Sequence, residues 1–67
     1  MKLYLLRKMP LKVFFSDRAS AEQFRRDRTH FAGGHIYEVE PDRPDDIPIG
    51  RIFDERSGAY LEEDNVL

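Results

Sequence analysis

The sequence contains no cysteine, which excludes disulfides and every thiolate metal site. Histidine is scarce too, with two in 67 residues, and leaves little from which to build a structural zinc site. Long apolar runs are missing. The segment Met1-Lys2-Leu3-Tyr4-Leu5-Leu6-Arg7-Lys8 has four apolar residues in a row before charge returns. A signal peptide needs an apolar stretch of about 7–15 residues and a membrane span about 20, so the expectation is a cytoplasmic protein with no membrane contact. Lysine stops at Lys12, and internal repeats, low-complexity runs and inter-domain linkers are absent.

What is present is enough apolar residue to fold. Leu, Ile, Val and Phe make up 18 of 67 residues, about 27%, above the ~20% level below which disorder is expected. The length allows a single domain over residues 1–67. A chain of this size buries about 60% of its unfolded surface, so its stability should be a few kcal/mol. That stability has to come from one well-packed core, a partner or a second copy. Monomer and homodimer both remain open.

Charge is sorted along the chain. Residues 1–37 hold eight Lys/Arg against Asp17, Glu22 and Asp27, a difference of +5. Residues 38–67 hold ten acids against Arg43, Arg51 and Arg56, a difference of −7. The net charge of −2 thus conceals a basic half and an acidic half. Such asymmetry either prepares a charged surface for a partner or lets the two halves neutralise each other on packing.

Lys2–Arg7 and Leu11–Ser16 read as strands joined by a hairpin around Lys8-Met9-Pro10, with Leu11, Val13 and Phe15 on one face. Ser16 or Asp17 offers a helix N-cap. Asp17–Arg28 lacks Gly and Pro and reads as an amphipathic helix. Its narrow apolar stripe is Ala21, Phe24 and the stem of Arg28, and Phe24 is its main anchor. Gly33-Gly34 marks a stop and a turn. His35–Glu40 alternates as a third strand. Pro41–Pro48, with three prolines and three aspartates, predicts an extended loop. Ile49–Asp54 and Ala59–Glu63 flank a Ser57-Gly58 hairpin turn, and the tail 64–67 can fray. The expected fold class is α+β: a small antiparallel β-sheet with one α-helix packed on one face, in the order ββαβββ.

No motif carries catalysis. Ala32-Gly33-Gly34-His35 follows a helix and precedes a strand, the reverse of a phosphate-binding loop. His30, His35 and Glu38 lack a metal-site spacing, and Ser16, Ser20 and Ser57 lack a nucleophile context. Asp42–Asp46 lacks the spacing of a calcium loop. A chain this short also makes a poor substrate cleft, so no enzyme, cofactor or metal is expected.

Two charged surfaces remain. Arg25, Arg26 and Arg28 either complement the dipole as they close the helix or, with Arg18, contact phosphates, the latter giving a small nucleic-acid-binding regulator. Phe14, Phe15 and Phe24 read as core rather than base-stacking platforms. The acidic half supplies the candidate partner-binding residues: Glu38, Glu40, Asp42, Asp45, Asp46, Asp54, Glu55, Glu62, Glu63 and Asp64. A sheet rim and loops displaying them would imitate a nucleic-acid backbone and occupy a basic groove on another protein. In size, lack of cysteine and clustered acid, the chain resembles small phage or mobile-element inhibitors, notably anti-CRISPR proteins. The resemblance implies a non-enzymatic DNA mimic that binds a CRISPR effector subunit and blocks its access to DNA. The basic first half departs from a uniformly acidic mimic. An accessory subunit or homodimer pairing through strand edges is a further alternative.

Overall fold

Alternation in the first fifteen residues builds a hairpin, and in the computed structural model, which describes residues 1–62, it is the centre of the sheet. Strand β1 (Leu3–Lys8) pairs antiparallel with β2 (Leu11–Phe15) through the two-residue loop Met9–Pro10, whose peptide bond is cis. Leu6 stands opposite Val13 and Tyr4 opposite Phe15, so these four share a face. Leu5, Arg7, Lys12 and Phe14 fall on the other, because successive side chains in a strand point to opposite sides.

Asp17 then caps helix α1 (Arg18–Asp27). Its carboxylate accepts the Ser20 backbone N–H at 2.9 Å and the Ser20 hydroxyl at 2.8 Å. Those hydrogen bonds, the hydroxyl's first, hold the Asp17 carboxyl below its ordinary pKa. Ala21 and Phe24, three residues apart, are buried as the helical spacing predicts. The Arg28 guanidinium lies over the Phe24 ring, 3.9 Å from its centroid.

The helix ends at Asp27, and a 3-10 turn (Thr29–Phe31) stands between it and the glycine pair. That turn delivers Phe31, 0% exposed, into the core, where its ring meets Phe24 edge-on at 5.2 Å. Gly34 lets the chain pass close to β1. A Cβ there would lie 3.0 Å from the Phe31 carbonyl oxygen and 3.2 Å from that of Arg7.

Strand β3 (His35–Val39) returns along β1, β4 (Ile52–Asp54) pairs with β2, and β5 (Ala59–Leu61) pairs with β4. The result is an antiparallel five-stranded sheet, order β3-β1-β2-β4-β5, with α1 on one face, which is the expected α+β architecture. The strand expected from Ile49 begins at Ile52, because the Gly50 N–H bonds the Phe14 carbonyl at 2.8 Å before ladder pairing starts. The last strand, expected to reach Glu63, runs to Leu61, and Glu63 and Asp64 lie outside the described residues.

The core lies between helix and sheet: Leu6, Val13, Phe15, Ala21, Phe24, Phe31 and Ile52, edged by Tyr4, Leu11, Ile36 and Leu61. Leu3 is 1% exposed yet outside this cluster, on the opposite face by its parity with Leu6. Since β3 and β4 flank the β1–β2 hairpin on opposite sides, the 40–51 connection has to cross it. It contains a second 3-10 turn, Pro44–Asp46, where an extended loop is expected, and it brings Ile47 and Pro48 beside Phe14 and Phe53.

Candidate functional site

The antiparallel order converts the sorting of charge along the sequence into a sorting in space. β1 ends, β2 begins, β3 begins, β4 ends and β5 begins at one end of the sheet, called here the hairpin end. α1 runs back toward that end, carrying Arg25 and Arg26 in its last turn to join Arg7, Lys8 and Arg56. The opposite, loop end receives the terminus of β3, both roots of the 40–51 connection and the exit of β5. Glu40, Asp42, Asp45, Asp46 and Glu62 lie at this end, all exposed, with Glu40 and Glu62 at opposite edges of the sheet and with Lys2, Arg18, Arg43 and Arg51 at the same end.

The ten acids predicted as one binding set therefore divide. Among the described residues, Asp54 and Glu55 sit at the hairpin end and are engaged. Asp54 accepts the Arg56 N–H at 2.9 Å. Glu55 accepts Nε and Nη2 of Arg7 at 2.8 and 3.0 Å. The bidentate pair pulls the Glu55 carboxyl below its usual value, chiefly by hydrogen bonding, and raises Arg7. Glu38 lies on edge strand β3 and pairs with Lys2 at 2.7 Å, which raises the lysine pKa. These two long-range pairs join the basic half to the acidic half. Asp46 has a 4.0 Å contact with Arg43. Glu40, Asp42, Asp45 and Glu62 take part in none of the described side-chain hydrogen bonds or ion pairs.

The helix arginines are mostly occupied within the fold. Arg18 pairs with Glu22 one turn on at 3.2 Å, and Arg25 donates to the Gly34 carbonyl at 3.1 Å. Arg28 covers Phe24. Arg26 reaches Gln23 at 3.4 Å. His30 and His35 are both exposed, and no group of three His, Asp or Glu among the described residues is placed to hold a metal.

The sheet face opposite α1 is a further candidate, one that pattern reading of the strands did not single out. Cross-strand register sets His35, Arg7, Lys12, Phe53 and Tyr60 in one rank over all five strands. Tyr37, Leu5 and Phe14 form the adjacent rank over β3, β1 and β2. Phe14 is thus a half-buried residue of the open face and not part of the core expected for it, whereas Phe15 and Phe24 are core. The signal was present: with Val13 and Phe15 inward, Phe14 has to point the other way. Tyr37 and Tyr60 remain 48% and 42% exposed. Lys12 Nζ stands 5.2 Å from the Phe53 centroid and 5.9 Å from that of Phe14, and the Arg51 guanidinium stands 4.9 Å from that of Tyr60. Two shallow depressions flank the rank. One is bounded by Arg7, Lys8, Met9, His35 and Tyr37; the other lies between the strands and Ile47-Pro48.

Among the described residues, no helix is long and apolar enough to cross a membrane. No family model, curated protein or solved structure matches the chain.

Proposed function

We propose that the protein is a non-enzymatic inhibitor whose acidic loop end occupies a basic nucleic-acid-binding groove on a partner protein, as in the anti-CRISPR proteins it resembles. The observation that supports this reading is the exposure of Glu40, Asp42, Asp45, Asp46 and Glu62 at one end of the sheet, four of them outside the described side-chain pairs. Solvated carboxylates on one end of a molecule steer a basic partner by long-range attraction. The partner would be a CRISPR effector subunit or a protein with a comparable groove.

The test is displacement of labelled DNA from such an effector complex by the protein, at low and high salt. Displacement should weaken as salt rises, since exposed charges are screened beyond about 10 Å at 0.1 M. The fourfold reversal Glu40→Lys, Asp45→Lys, Asp46→Lys and Glu62→Lys should reduce it about tenfold or more. A reversed protein that stays folded by circular dichroism and displaces DNA unchanged overturns the reading. So does failure of the natural sequence to displace DNA.

The helix-arginine alternative has less support, because Arg18, Arg25 and Arg28 each make a contact inside the fold.

A further inference from the structure

The geometry points to single-stranded nucleic acid as the ligand of the open sheet face. This face is distinct from the acidic loop end, apart from Asp46 at its rim, and its ligand goes beyond the inhibitor reading.

An exposed aromatic ring on a sheet offers a π-face to any base, which is why sheet platforms take single strands rather than duplexes. Here the rings are spread across the sheet instead of clustered. Tyr37 lies on edge strand β3, Phe14 and Phe53 on inner strands β2 and β4, and Tyr60 on edge strand β5. Five strands at about 4.8 Å spacing make the rank roughly 19 Å wide. That width suits the two or three stacked bases such platforms accept.

Charge complementarity selects the occupant. Arg7, Lys12 and Arg51 border the same face, with His35 at the end of the rank. Glu55 offsets Arg7, and Asp46 stands at the rim of the second depression, so cations remain in excess. Along the rank the cations Arg7 and Lys12 stand beside the rings of Phe53 and Tyr60, so phosphate and base contacts are available side by side. An apolar protein segment would leave the lysine and arginine heads unused. A duplex could not reach the rings with its stacked bases. The net charge of −2 is a sum over the whole chain, and around the second depression Lys12 and Arg51 outnumber Asp46.

The test is fluorescence anisotropy of the full chain with a labelled ten-nucleotide oligo-dT, the matching oligo-U and a duplex of the same length, from ~50 to 200 mM salt. Binding to a single strand that falls with salt and exceeds duplex binding supports the proposal, and the dT and U arms distinguish DNA from RNA. Tyr37→Ala and Tyr60→Ala, at exposed positions that leave the core intact, should each weaken binding about tenfold. Lys12→Ala should weaken it and lower the salt slope. The proposal is overturned by no binding at ~50 mM salt, by duplex binding as tight as single-strand binding, or by affinity unchanged in a folded Tyr37→Ala/Tyr60→Ala variant. Binding of a poly-glutamate peptide in place of the oligonucleotides would likewise overturn it and assign the face to an acidic protein.

Discussion

Phe31 offers the sharpest test of the fold, since the 3-10 turn that positions it is the element least apparent from pattern. Its ring is 0% exposed and packs edge-on against Phe24, 5.2 Å between centroids, while Phe24 packs at the same distance on Phe15. Replacing Phe31 by Ala removes a fully buried ring, leaves a cavity beneath the helix end and breaks this chain of three rings. Phe→Ala in a core costs about 3–5 kcal/mol, and an aromatic pair contributes roughly 0.5–1.5 beyond its buried area. At roughly 0.05–0.15 kcal/mol per residue, a 67-residue chain has about 3–10 kcal/mol in total. Phe31→Ala should therefore remove at least about a third of that stability at 25 °C. Urea titration followed by far-UV circular dichroism measures this. Tyr60→Ala, on an exposed edge ring, is the control and should cost under about 1 kcal/mol. A folded Phe31→Ala protein destabilised by less than about 1 kcal/mol would refute the assignment of this turn to the core.

Gly34→Ala should cost about 1–3 kcal/mol in the same titration, because its Cβ would press on the Phe31 and Arg7 carbonyls. Gly58→Ala meets open space but has φ of +71°, so backbone strain alone should cost about 1–2 kcal/mol. Asp17→Ala should cost about 0.5–2 kcal/mol by removing the helix cap, read as a lowered urea midpoint. The depressed carboxyls of Asp17 and Glu55 contribute stability that is present above their unfolded pKa, near 4, and lost as pH falls through the folded values. Thermal midpoints should thus drop as pH falls below about 4, and Asp17→Asn with Glu55→Gln should flatten that drop. An equally steep acid limb in the double variant would contradict the linkage.

Local pattern carried the element order. Alternation in Leu11–Phe15, the Asp17 cap and the Ala21–Phe24 spacing are each satisfied by neighbours in sequence, so their outcome was legible there. The 3-10 turns at Thr29–Phe31 and Pro44–Asp46 were not, since three residues define no periodicity and their reason lies in what they pack against. The same holds for the candidate surfaces. The acids were legible as a composition. The placement of Asp54 and Glu55 at the hairpin end and of the other described acids toward the loop end followed from strand direction, which the order of elements alone does not supply.

Short-range sterics and hydrophobic spacing fix the fold class and the helix register, and the excess of acid from Glu38 onward is a matter of composition. Only the tertiary structure decided which strands are neighbours, and through that which side chains meet. Placing β3 and β4 on opposite sides of the first hairpin joins Arg7 to Glu55, 48 positions apart, and sets Tyr37 and Tyr60 at the two margins of one face. That choice depends on burying Leu6, Val13, Phe31 and Ile52 in a single core, a global condition that no local stretch of the sequence expresses.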